Sequence, residues 1–245
     1  MPDDSDPPLP TADDALVLAP DCRRCPALAA ARTRIAWGNG PRDADVLVAG
    51  EAPAAGDPDA DWGGGNHTGL AYTSRHSGRQ VRRTVAALGL DGRAFYTNAV
   101  KCFPSEAYPP GGPADGDPGD PRPDVDPATA GDRDPAPTER ERCRDHLLAE
   151  LDRIDPTAVL ATGKHATASV LAAAGRDLDG FLDRVCTVER LPSLDATLVP
   201  VLHPSYEAVW RARLGYADVD AYRADVARAL REAGVDGVAS PDGEG

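Results

Sequence analysis

Asp45-Val-Leu-Val-Ala-Gly50 is the stretch that decides the fold. Its apolar residues run on without alternation, so neither face of a strand formed here could sit in water. A short uninterrupted run of this kind that stops at glycine is the pattern of a parallel strand buried on both sides. Three more runs share the form: Ala94-Phe-Tyr-Thr-Asn-Ala-Val100, Thr157-Ala-Val-Leu-Ala-Thr162 and Thr197-Leu-Val-Pro-Val-Leu202. Helical periodicity fills the intervals. Ser77 is expected to cap a helix over 78–88, with Val81, Val85 and Leu88 on one face and Arg79, Arg82 and Arg83 on another. Thr138-Glu-Arg-Glu141 reads as a capping box opening a helix to about residue 154, and Gly163 opens another to about 173. The same period returns over 205–214 and 218–233. Strand and helix alternate, which predicts an α/β fold: a three-layer α/β/α domain around a central four-stranded, mainly parallel sheet.

In open sheets of this class ligands bind outside the carboxyl ends of the strands. Glu51 follows the first run, Asn98 closes the second and His203 follows the fourth. Each alone has a plain alternative, a solvated acid, a strand-end turn residue or a helix cap. Three different polar functions at one rim are the expected form of a working site.

The charge argues first against a nucleic-acid partner. With 40 acidic and 26 basic residues the chain carries a net charge of −14, which repels phosphate. The distribution reverses this. Residues 1–21 hold six acids and no base, residues 105–138 eight acids against two bases, and residues 232–245 four acids and no base. The chain outside these segments is slightly basic. Nine prolines in 105–138 forbid a packed element there. The expected organisation is an acidic disordered tail (1–21), one domain (22–231) with an acidic Pro/Gly-rich insertion (105–138), and a second acidic tail (232–245). Only two of the basic residues are lysine and Asp far exceeds Glu, a usage that resembles proteins of extreme halophiles. At about 1 M salt the Debye length is about 3 Å, so diffuse acid no longer keeps DNA away. No apolar run reaches membrane-spanning length, and the N-terminus is acidic rather than basic-then-apolar. A cytoplasmic monomer with no membrane partner is expected.

Cys22 and Cys25 form a Cys-x-x-Cys pair, and Cys102 and Cys143 stand far along the chain. In a reducing compartment such a set suggests a tetrathiolate site for an iron–sulfur cluster or zinc. The plainer alternative is a redox pair with a buried core cysteine at Cys143. Cys186, in Arg-Val-Cys-Thr-Val-Glu, reads as a strand residue.

With these pieces in order the chain resembles the uracil-DNA glycosylase superfamily, in particular its iron–sulfur family-four branch. The matching pieces are Cys22-x-x-Cys25, Gly50-Glu-Ala-Pro53, Tyr96-Thr-Asn-Ala-Val-Lys-Cys102, Cys143 and His203-Pro-Ser-Tyr206, covering about residues 20–215. Residues 63–78 look more like family five, which usually has Asp where this chain has Arg75, and the interval between Cys102 and Cys143 is longer than family four shows. The resemblance implies cleavage of the N-glycosidic bond of uracil or another deaminated base in single- or double-stranded DNA. It implies Glu51 and His203 as catalytic residues, with Gly50, Tyr72 and Asn98 binding the flipped base. Pro53, Ser205 and Tyr206 would touch DNA, with Arg79, Arg82 or Arg83 neutralising phosphate. Cys22, Cys25, Cys102 and Cys143 would hold a 4Fe-4S cluster, with zinc the rival. The alternative function is a non-catalytic iron–sulfur nucleic-acid-binding module.

Overall fold

A computed structural model describes residues 7–113 and 116–239. The strands are β1 (Val46–Gly50), β2 (Ala94–Asn98), β3 (Ala158–Thr162), β4 (Glu189–Leu191) and β5 (Ala196–Val201). The α-helices are α1 (Pro26–Ala31), α2 (Gly65–Thr68), α3 (Ser77–Ala87), α4 (Pro137–Ile154), α5 (Lys164–Ala173), α6 (Glu207–Arg213) and α7 (Val219–Glu232). The sheet order is β2-β1-β3-β5-β4, parallel except for β4, which pairs antiparallel with β5. The sheet thus has five strands rather than the expected four. β4 is a three-residue edge strand, too short and too charged to show an apolar run.

Both faces of β1 are dry. Val46 and Val48 face a core shared with Val81 and Val85 of α3 and Val226 and Leu230 of α7. Leu47 and Ala49 face the opposite core, with Leu147 and Leu151 of α4 and Val170 and Leu171 of α5. Side chains that alternate across the strand therefore each meet a helix layer, every large one contributing about 1.5–3 kcal/mol on burial. A third, smaller core gathers Leu28, Ile35, Trp37, Val100, Cys102 and Cys143.

Helix starts differ by a residue or so from the sequence reading, for local reasons. Ser77 is the first residue of α3 rather than its cap; Ser74 Oγ instead accepts the Gly78 N–H at 2.8 Å. α4 begins at Pro137, whose fixed φ suits a first turn, and Glu139 accepts from Ala136 N at 2.8 Å. Cys186 lies in a turn at φ +57°, three residues before β4, and not in a strand.

The acidic segments make specific contacts. Residues 1–6 and 240–245 lie outside the described residues. Leu16 N donates to Gly38 O, and Leu16 and Leu18 pack on the body. Past α7, Val235 and Val238 are buried and Ala239 N bonds Leu88 O. The long segment after Ser105 returns at Asp132 through a β-bridge, and Glu106 N donates to Gly131 O. Arg133 then grips Glu139 through two 2.7 Å bonds. No helix among the described residues is long and apolar enough to cross a membrane.

Candidate active site

The register sets Gly50 opposite Asn98, and Thr162 opposite Val201, so the carboxyl ends of four strands lie level. Strand order reverses about β1, and a cleft of about 960 Å³ opens at that point. Gly50, Glu51, Pro53, Tyr72, Asn98, His203, Ser205 and Tyr206 line it, whereas Arg79, Arg82 and Arg83 are not among its lining residues. Thr162, His165, Asp134 and Trp210 line it too and were not anticipated.

Gly50 is required where it stands. A Cβ there would run into Asn98 Oδ1 and sit 2.8 Å from the Tyr72 hydroxyl, so both side chains lean over bare backbone at the end of β1. Asn98 is buried and offers an amide with acceptor and donors. Tyr72 adopts φ +55°, a left-handed conformation that costs a β-carbon-bearing residue about 1–2 kcal/mol. It is held there from both ends: its hydroxyl meets Thr162 Oγ1 at 2.6 Å and its carbonyl accepts Arg82 Nε at 2.9 Å. The strain keeps an aromatic face on the cleft.

His203 follows β5 and caps the short 3-10 turn Pro204–Tyr206. Its Nδ1 accepts the Ser205 N–H at 3.2 Å, so in the neutral ring the proton sits on Nε2. Burial, with His165 nearby, holds its pKa below the usual histidine range. Capping therefore selects a neutral His203 ring whose Nε2 is a hydrogen-bond donor.

Glu51 is the most perturbed acid at the rim. Burial, reinforced by Asp134 and opposed by Arg140, raises its pKa to about 7. Its Oε1 is buried without a hydrogen-bond partner, and His165 Nδ1 stands 3.9 Å away, beyond hydrogen-bond reach. His165 Nε2 is 3.6 Å from Asp134, which the acidic segment delivers to the cleft mouth. Glu51, Asp134 and His165 have ligand atoms mutually within 4.8 Å, a spacing compatible with a cation. However, His165 turns its two nitrogens toward different carboxylates, and Arg140 Nη1 lies 3.4 Å from His165 Nδ1. A guanidinium thus already supplies positive charge there.

Arg82 is corrected from a phosphate neutraliser to an internal brace. It is 7% exposed, bonds Tyr72 O, Ala71 O and Asn39 Oδ1, and stacks 3.9 Å over the Tyr96 ring. Arg83 of the same helix is exposed, as is Arg75 beside the cleft. Tyr206 and Val209 are exposed apolar side chains at 62% and 54%, at and just after the turn that carries His203.

On the other side of the Asn98 loop, Cys22, Cys25, Cys102 and Cys143 line one small cavity with Arg32, Lys101, Arg142 and His146. Arg32 Nη1 donates to Cys102 Sγ at 3.1 Å, and Lys101 N donates to Cys143 Sγ at 3.3 Å. Four thiols in a cationic, N–H-donating shell fit a group that binds thiolates. Cys186 lies in the α7-side core instead, its carbonyl bonded by Arg228.

The geometry and the comparisons agree. The family model of the Uracil DNA glycosylase superfamily matches residues 37–227. A type-4 uracil-DNA glycosylase of Archaeoglobus fulgidus is 27% identical over 159 residues, covering 64% of this chain and 62% of the relative. A type-5 uracil-DNA glycosylase of Pyrobaculum aerophilum is 27% identical over 198 residues, covering 69% of this chain and 73% of the relative. The chain therefore spans under two thirds of the archaeal type-4 protein. A cleft at the sheet's switch point with Gly50, Asn98 and His203 on its rim, and a family match across most of the sequence, lead to one conclusion: the chain belongs to the uracil DNA glycosylase superfamily.

Proposed function

We propose that the chain is a monofunctional DNA glycosylase that hydrolyses the N-glycosidic bond of uracil, or of another deaminated base, in DNA to leave an abasic site. The observation that carries this is the pairing of a buried Asn98 amide with a His203 ring whose donor sits on Nε2, in one cleft. A flipped base can lie against Tyr72 while Asn98 matches the N3–H and O4 of uracil and mismatches cytosine. As the N1–C1′ bond breaks, charge grows on uracil O2, and a donor aimed there lowers the barrier. The electrons of that bond leave with the base. Water adds to C1′ and gives its proton to Glu51, whose pKa, raised to about 7, suits a general base. Ser205, Tyr206 and Pro53 border the cleft where the DNA backbone would run.

Cys22, Cys25, Cys102 and Cys143 would hold a 4Fe-4S cluster, whose contribution is to cross-link the N-terminal loop, the Asn98 loop and α4. The direct test incubates the protein in high salt with single- and double-stranded oligonucleotides carrying uracil, hypoxanthine or xanthine, alongside an iron and sulfide determination. Uracil release by protein with about four irons is expected. An intact cluster without release of any base would favour a non-catalytic binding module, and stoichiometric zinc without iron would replace the cluster.

A further inference from the structure

We propose that the buried Lys101–Glu150 pair is a positioning device for the Asn98 loop, with Lys101 as the residue that sets where the Asn98 amide stands in the cleft. Lys101 Nζ has three donors and three acceptors: Thr97 Oγ1 at 2.7 Å, the Asn98 carbonyl at 2.5 Å and Glu150 Oε2 at 2.6 Å. Thr97 Oγ1 in turn donates to the same Glu150 oxygen at 2.6 Å. The two charged side chains are 1% and 0% exposed.

A pair this deep is a poor investment in stability, because taking both charges out of water costs about what their attraction returns. Its product is geometry. Beyond β2 the sheet ladder continues through Ala99 N to Gly50 O and Val100 N to Glu51 O, while the Asn98 carbonyl accepts the ammonium. Lys101 is itself pinned: its N–H donates to Cys143 Sγ and its carbonyl accepts Ala36 N at 2.7 Å. Its main chain is thus anchored at the thiol cavity while its side chain reaches the base-reading loop.

Residue choice points the same way. Of 26 basic residues only two are lysine, and one stands here. A compact ammonium satisfies three acceptors around one point, whereas a planar guanidinium spreads its donors into a fork.

The proposal rests on Asn98 being the base-reading residue, so its test has one readout that needs no turnover. Lys101→Met with Glu150→Leu replaces the pair by apolar groups of similar size, an exchange that such pairs tolerate. Hydrogen exchange over residues 97–102 should accelerate about tenfold or more, the weight of a lost charged hydrogen bond, with β1, β3 and β5 still protected. Single-turnover uracil excision should fall by about 10²-fold through misplacement, while binding to an abasic oligonucleotide is unchanged. Glu150→Asp, which keeps the counter-charge and an acceptor, should leave exchange and excision closer to wild type than the double variant. Should the double variant not fold, Lys101→Arg keeps the charge and should still loosen residues 97–102. Wild-type exchange in a folded double variant, or in Lys101→Arg, overturns the proposal. If wild-type protein releases no uracil, the role of Asn98 falls, and the exchange data still decide whether Lys101 positions the loop.

Discussion

Glu51 and Glu150 are two desolvated carboxylates of one domain treated in opposite ways. Glu150 is fully buried, and its Oε2 takes a lysine and a hydroxyl at 2.6 Å each. Glu51 keeps 23% of its side chain exposed, faces a histidine at 3.9 Å and has an acidic neighbour in Asp134. The first arrangement fixes the carboxyl group in one geometry. The second raises the Glu51 pKa to about 7, which suits the general-base role proposed for it.

Stability should separate the two positions. Glu150→Ala leaves the Lys101 ammonium buried without its counter-charge and should cost about 3–5 kcal/mol in urea denaturation, whereas Glu51→Gln removes an unfavourable charge and should cost nothing. Equal losses would show that Glu51 is as structural as Glu150.

A somewhat smaller effect belongs to catalysis. His203→Ala should lower single-turnover excision by about 10²–10³-fold while binding weakens far less, because the charge it meets exists only in the transition state. A wild-type rate in the folded variant would remove His203 from the reacting centre.

The smallest effect is a displacement along the pH axis. In the proposed role Glu51 accepts a proton only when ionised, so excision should rise with pH through about 7 and flatten above it. Burial lowers the His203 pKa below the usual histidine range, so any limb from His203 should lie on the acid side of that of Glu51. Asp134→Asn removes a charge that raises the Glu51 pKa, so the limb should move to lower pH; Glu51→Gln should abolish it. A limb unmoved by Asp134→Asn would mean that the acidic segment does not sense the site.

The sequence was most legible where a single periodicity ruled. Each of the four buried strands falls almost wholly on one of the four apolar runs, because burial on both faces leaves no alternating pattern. β4 escaped because three residues with charged Glu189 and Arg190 carry no period. Arg82 was misread because its neighbours in sequence suggest a solvated face, and only the fold brings Asn39 and Tyr96 beneath it. His165 had a readable signal: it follows the carboxyl end of β3, the same rim that pointed to Glu51, Asn98 and His203, but Gly163 drew attention as a helix opener. Asp134 had none, since one aspartate among many in an acidic proline-rich stretch is indistinguishable until the chain returns at Ser105 and Asp132.

That return has an evolutionary consequence. Because Glu106 and Gly131 are stitched to each other, the chain between them enters and leaves the body at one place. Its length can then change at small cost, since doubling a loop adds about 0.6 kcal/mol of closure entropy. Insertions or a grafted module between those residues leave Asp134 and the cleft beyond the stitch undisturbed, which makes this the natural site for tagging or tethering the protein.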